Sequence, residues 1–178
     1  MAIEEPTFET IEVREGYEIR RYAPYLVAHT VVDQSSGNAG GEAFRRLFGY
    51  ISGRNRGPES SGSQKIAMTA PVITGATSGN ADGAFYQFVM PASHTLDTLP
   101  VPDDPRVVLR EVPARLVAVT RYSGRWTEAN DREHEQALLR ALERDGVVRR
   151  GEPVLARYDA PFTPWFVRRN EIMVEIER

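Results

Sequence analysis

Leu26-Val27-Ala28-His29-Thr30 returns ninety residues later as Leu116-Val117-Ala118-Val119-Thr120. Each copy follows a short charged strand-like run and a proline, Pro24 in the first case and Pro113 in the second. Each is followed by a segment of helical periodicity and then by two further strand-like runs. Ala70-Pro71 and Ala160-Pro161 stand at similar places in the two halves. The pattern predicts a doubled unit of strand, strand, helix, strand, strand, with halves near 17–91 and 106–177. Two copies are too few for a solenoid, which stacks at least three. They suit two repeats packed around a pseudo-twofold axis.

Outward from the echoed pentapeptides, Phe44, Leu47, Phe48 and Ile51 recur at i, i+3, i+4 and i+7. That spacing predicts a helix over 41–52, one side of it apolar, with Gly53 as its stop. A second helix is predicted over 130–145, where Asn130 and Glu133 read as a cap with its reciprocal acid. Its apolar stripe is His134, Ala137, Leu138, Ala141 and Leu142, and Gly146 closes it. At the end of the chain Ile172, Val174 and Ile176 alternate with Glu171, Met173 and Glu175, the mark of a half-buried strand. Phe85 to Met90 is rich in aromatic strand formers, and 17–22, 25–32, 65–73, 107–111, 115–122 and 153–158 are the remaining candidates. Three polar or proline-rich loops cover 54–64, 75–83 and 91–105. No long linker divides the chain. The expected architecture is α+β, a single domain over 1–178 with a mainly antiparallel sheet and two helices outside it.

Composition narrows the function. The chain has 178 residues, 41% hydrophobic and 26% charged with both signs mixed, as in an ordinary soluble domain. The absence of cysteine excludes disulfides, zinc ribbons, a thiol nucleophile and thiolate-ligated haem. No apolar run is long enough for a membrane-spanning helix. The acidic start, Met1-Ala2-Ile3-Glu4-Glu5, lacks the basic and apolar regions of a signal peptide, so a cytoplasmic location is expected. A net charge of −3 offers nucleic acid no electrostatic footprint.

The usual catalytic and metal-binding signatures do not occur. His29, His94 and His134 are isolated, without metal-ligand spacing. His29 stands where the second copy has Val119, which favours a core or sheet position, and His134 belongs to a helical stripe, which favours a partly buried, hydrogen-bonded ring. There is no Gly-x-Ser-x-Gly elbow. Gly37-Asn38-Ala39-Gly40-Gly41 precedes a helix but lacks the phosphate-loop patterns. No catalytic residue is therefore named. Aromatic and aliphatic residues are concentrated in two places, the helix face of Phe44, Leu47, Phe48 and Ile51, and Pro161-Phe162-Thr163-Pro164-Trp165-Phe166. Arg45 and Arg46 border the first, Arg168 and Arg169 the second. Two readings stay open: an ordinary helix-on-sheet core with surface arginines, or an apolar wall rimmed by guanidinium groups for a flat ligand with carboxylate tails.

Four stretches together resemble the SOUL haem-binding family. They are Tyr17-Glu18-Ile19-Arg20-Arg21-Tyr22-Ala23-Pro24, the run from Phe44 through Tyr50-Ile51-Ser52-Gly53-Arg54-Asn55, Lys65-Ile66-Ala67-Met68-Thr69-Ala70-Pro71-Val72, and Arg168-Arg169-Asn170-Glu171-Ile172. The resemblance covers roughly 8–177. It implies two pseudo-twofold repeats forming a twisted eight-stranded, mainly antiparallel barrel or sheet flanked by two helices. It also implies haem or another tetrapyrrole as ligand, lying against the first helix. Arg45 would then reach a propionate and Phe48 and Ile51 would face the macrocycle; Phe44 and Trp165, from the two aromatic concentrations, complete the candidate site. The sequence departs from the family at two ligand positions: Arg21 replaces a histidine proposed to bind iron, and Thr163 replaces a lysine. The expected cofactor is thus haem held at low affinity or without a protein axial ligand. The resemblance leaves two alternatives: a small-molecule-binding or hydrolytic protein of the architecturally similar drug-sensing regulator fold, and a protein-interaction module.

Overall fold

The computed structural model describes residues 2–60 and 62–177. Met1 and Arg178, at the ends of the predicted domain, and Ser61, in the predicted loop 54–64, lie outside the described residues. The chain opens with strands β1 (Phe8–Arg14), β2 (Tyr17–Tyr22) and β3 (Tyr25–Asp33), followed by helix α1 (Ala39–Ile51). The two-residue β4 (Asn55–Arg56) precedes β5 (Val72–Ala76), β6 (Gly83–Val89), another two-residue strand, β7 (Val101–Pro102), and β8 (Val108–Val112). Then come β9 (Arg115–Tyr122), helix α2 (Glu128–Arg144), β10 (Val154–Arg157) and β11 (Asn170–Glu175).

Two compact units share these elements. The first holds the stretch to Pro6 and Pro24–Pro113, the second Thr7–Ala23 and the stretch from Ala114 onward. Pro24 and Pro113, the prolines before the two echoed pentapeptides, thus stand at two of the three points where the chain passes from one unit to the other, the third following Pro6. In the first unit the strand order is β8-β3-β6-β5, and β4 pairs with β7 as a separate ribbon. In the second it is β1-β2-β9-β11-β10. All these pairings are antiparallel, and the class is α+β as expected. Leu26 to Thr30 lies in β3, between β6 and β8, and Leu116 to Thr120 lies in β9, between β2 and β11.

The main strands number nine among the described residues, not eight, because β1 was not foreseen. Its sequence has no buried face to advertise it: Ile11 is 41% and Val13 74% exposed, and a bulge between Thr10 and Glu12 breaks its alternation. The strand predicted over 65–73 is shorter, confined to Val72–Ala76. Before it, backbone groups go elsewhere: Ile66 N–H donates to Ile51 O at 2.8 Å and Ala70 N–H to Glu4 O at 2.9 Å, while Pro71 has no N–H to give.

Each helix covers one unit's central strands. Leu47, Tyr50 and Ile51 of α1 pack with Leu26, Ala28 and Phe88. Leu138, Ala141 and Leu142 of α2 pack with Ile19, Ala118, Ile172 and Val174. Ala137, predicted in that stripe, is exposed. The predicted cap of α2 is also corrected. The helix begins at Glu128, and the hydroxyl of Thr127 accepts from Asn130 N–H at 3.2 Å. Asn130 instead donates its side-chain amide to the carbonyls of Ser123 and Arg125. The last strand is not half-buried: Asn170 through Val174 are all buried, Glu171 completely.

Candidate ligand site on the first helix

Helix α1 carries two apolar stripes, where the periodicity suggested one. Ala43, Leu47, Tyr50 and Ile51 form the buried stripe. Phe44 and Phe48, one turn apart, form an exposed one. Each is 48% exposed, and their rings stack with centroids 5.5 Å apart and an interplanar angle of 11°. Phe44 also meets the buried Phe88 edge-on at 5.6 Å, which fixes the pair against the core. Along this stripe Gly41, Gly49 and Ser52 place nothing bulky beside the two rings. The result is an open depression of about 570 Å3, lined by Phe44, Phe48, Arg45, Arg54 and the small residues around them.

The two arginines are the polar part of this surface. Among the described residues neither the Arg45 nor the Arg54 guanidinium has a hydrogen-bond or ion-pair partner. Arg54 follows the helix: its N–H donates to Gly49 O at 2.9 Å, and its stem lies over Gly49. A Cβ on Gly49 would sit 3.2 Å from Arg54 Cδ. Both arginines also line a second depression of about 610 Å3, which adds Glu42, Arg46, Asp103, Asp104 and Arg106. There each acid has a partner. Arg46 pairs with Glu42, Arg56 lies 3.7 Å from Asp103, and Arg106 grips Asp104 through two bonds of 2.9 and 2.8 Å. Those bonds hold the Asp104 carboxyl down at about 2.

Phe44, Arg45 and Phe48, named from sequence, thus line one depression. Ile51 does not: at 4% exposure it belongs to the core with Leu47. The reason is angular, since Ile51 projects from the stripe of Leu47 and not from that of Phe44. Trp165 belongs to the second unit, in a one-turn helix over Trp165–Val167. It is 48% exposed, with its ring edge-on to Phe166 at 5.5 Å. Arg54 was not named from sequence; the one signal available was Gly49, five residues before it.

The histidines sit as structural residues. His29 is 6% exposed, 3.1 Å from the Gln87 amide and stacked on Phe85. Burial, then the Arg110 charge, push it down to about 4. His134 stacks on Tyr122 at 4.1 Å and contacts Asn130 O through Nδ1 at 2.8 Å. Among the described residues no group of three or more His, Asp or Glu side chains is placed to hold a metal ion. No helix is long and apolar enough to cross a membrane.

A different chemistry fills the second unit. Arg20 Nη1 and Nη2 meet the two oxygens of Glu171 at 2.9 and 3.0 Å. Tyr158 OH donates to Glu171 at 2.8 Å, Arg169 donates to it at 3.1 Å, and Arg20 also donates to Tyr22 OH. Burial alone would raise the Glu171 carboxyl, but the bonds and charges of Arg20, with Tyr158 and Arg169, outweigh it and hold it below its ordinary value. The one wholly buried carboxylate described is therefore already neutralised.

Solved structures share the fold at low identity. The C-terminal domain of EcmrR aligns with a TM-score of 0.63 and 13% identity, over 91% of this chain and 98% of that one. A hydrolase from Listeria innocua aligns at 0.63 and 12%, over 94% of each chain. A protein solved with tetraphenylphosphonium bound aligns at 0.54 and 10%, over 90% and 93%. No curated protein sequence gives a significant match. The profile of SOUL heme-binding proteins, in contrast, matches residues 3–175. That span takes in both helices and every strand described above, and on it this chain belongs to the SOUL heme-binding protein family.

Proposed function

We propose that this protein binds haem or a related tetrapyrrole on the exposed stripe of α1, with Phe44 and Phe48 against the macrocycle and Arg45 pairing with a propionate. The observation that carries this reading is the half-exposed Phe44–Phe48 stack beside a guanidinium that has no partner among the described residues. A macrocycle laid on two parallel rings removes apolar surface from water, at about 25 cal/mol per Å2. The guanidinium supplies a charge-assisted contact that fixes orientation. A bound tetrapyrrole would bring its own redox or optical chemistry; the chain supplies area and charge.

Iron ligation has no support from this surface. The depression is lined by glycine, serine, phenylalanine and arginine, none an ordinary axial ligand. Arg21, at the family's histidine position, is exposed and lies 3.3 Å from Glu9. Binding should therefore depend on the macrocycle and its carboxylates, and roles in buffering or transport follow more readily than redox catalysis. A lipophilic cation, the ligand of one structural neighbour, is a poorer partner for a stripe whose free charges are both positive.

Titration of the protein with hemin and with metal-free protoporphyrin IX tests this reading. Saturable one-to-one binding of both is expected. Arg45→Glu should weaken each by about tenfold or more, since a charged hydrogen bond contributes about 1.5–3 kcal/mol and 1.4 kcal/mol is a factor of ten. Loss of hemin affinity with protoporphyrin unaffected would make iron the handle. Absence of saturable binding for both ligands would overturn the proposal.

A further inference from the structure

Arg54 has the same standing in the structure as Arg45, though it occupies the unspecified position of the Tyr50-Ile51-Ser52-Gly53-Arg54-Asn55 exit. Both guanidinium groups are without a partner among the described residues, and both line the aromatic depression and the charged one beside it. The acids of the charged depression do not account for them. Glu42 is engaged by Arg46, Asp104 by Arg106 and Asp103 by Arg56. Once these pairs are matched, two positive charges remain, and they are Arg45 and Arg54. The Arg54 stem rests on the bare backbone of Gly49, with its N–H bonded to Gly49 O, so the position is held by the end of the helix and not by a counter-ion.

We infer that Arg54 is a specificity-determining residue, and that the ligand of this surface is an amphipathic dianion: a flat apolar body for Phe44 and Phe48 and two anionic arms, one for Arg45 and one for Arg54. This rests on the reading of the α1 stripe as the ligand site and narrows its ligand class. One arginine would serve a monoanion. Two unmatched arginines shared between an apolar floor and a charge-matched trough select for a second anionic group, because a ligand lacking it leaves one guanidinium uncompensated against the bound apolar body.

The test is fluorescence titration of wild type, Arg45→Gln, Arg54→Gln and Arg54→Lys with protoporphyrin IX and with its dimethyl ester, which has the same macrocycle and no charge. Arg54 is exposed, so its replacement leaves the core intact. The expected result is that Arg54→Gln weakens protoporphyrin IX by about tenfold, that Arg54→Lys recovers part of the loss, and that the ester binds all four proteins alike. Protoporphyrin affinity lowered by Arg45→Gln but unchanged by Arg54→Gln would overturn the inference while leaving the site standing. An ester that binds wild type as tightly as the diacid would also overturn it, since charge would then not be read. If wild type binds neither compound, the reading of the site fails and the inference with it.

Discussion

The two units place their unusual residues on opposite sides of the same kind of layer. Helices α1 and α2 each follow a central strand and lie over it and its neighbour, α1 over β3 and β6, α2 over β9 and β11. In the first unit the interior around α1 is apolar and the excess aromatics, Phe44 and Phe48, are outside. In the second, the outer face of α2 is charged, with Arg132 and Glu128 paired along it, and the unusual group is inside: Arg20 and Glu171, 5% and 0% exposed. An ion pair in the interior commits its carboxylate and guanidinium to each other. An aromatic pair on the surface with free arginines beside it commits nothing, and so remains available to a ligand. Similar layers can thus carry their unusual residues paired inside in one unit and exposed outside in the other.

The largest effect should come from the sealed interior. Arg20→Met leaves Glu171 buried with part of its compensation gone, and breaking a buried pair from one side costs about 3–5 kcal/mol. Urea unfolding should show the loss, with Arg20→Met/Glu171→Leu less destabilised than the two single changes together predict. Additive losses would mean that the pair is not a unit and that the second unit's interior is not sealed by it.

Next in size is the contrast within α1. Leu47→Ala empties a fully buried site and should cost about 2–5 kcal/mol, whereas Phe48→Ala removes a half-exposed ring and a stacking contact, about 1 kcal/mol or less. Tetrapyrrole affinity should respond in the reverse order. A Phe48→Ala protein that unfolds as readily as Leu47→Ala would place Phe48 in the core and leave α1 without an exposed aromatic stripe.

That split is where sequence reading reached its limit. Phe44, Leu47, Phe48 and Ile51 share one side of a helix, and periodicity reports the side without reporting which part of it the sheet covers. Phe44, Arg45 and Phe48 were grouped because aromatics recur beside an arginine on one side of the helix; Ile51 was not separable from them, being apolar and only three residues from Phe48. Glu171 misled for a related reason. Alternation in β11 puts it opposite Ile172, and an outward glutamate is the ordinary outcome, but Arg20, which draws it into the interior, lies 151 residues away. Strand β1 left no trace because an edge strand with both faces largely in water needs no apolar pattern. Helix positions, most strands and the α+β class rest on local signals and were readable from them.

Acidity should separate the two units without mutation of either core. The folded His29 takes up a proton only at about 4, its burial and Arg110 opposing the charge, against an ordinary value of 6.5. Between those values the unfolded chain holds more protons, so stability falls as pH falls, by at most about 1.4 kcal/mol per pH unit for one group, and levels off below 4. Glu171 has the same sign in a lower window: its folded carboxyl is held below the ordinary 4.5, so its contribution is complete above that value and is lost as pH drops from there through the folded one. Urea midpoints measured from pH 7.5 to 4.5 should decline more in wild type than in His29→Gln. Equal declines would assign this pH range to groups other than His29.

The smallest expected difference lies at the two helix starts. Thr127 caps α2 with its hydroxyl, accepting from Asn130 N–H at 3.2 Å, while Asn38 precedes α1 without a side-chain cap bond. Thr127→Ala should therefore cost about 1 kcal/mol, and Asn38→Ala less than about 0.5 kcal/mol, as for a surface change that removes no such bond. The distinction bears on ligand binding as well as stability. A helix that bears its exposed aromatic pair after an uncapped first turn has less to hold that turn in place, and Gly40 and Gly41 within it add backbone freedom. Replacing Gly40 by alanine brings a Cβ to 3.3 Å from Tyr86 OH, so that position resists stiffening. Amide exchange at residues 39–42 faster than at 128–131 is the expected signature, and bound tetrapyrrole should slow the first set and leave the second unchanged.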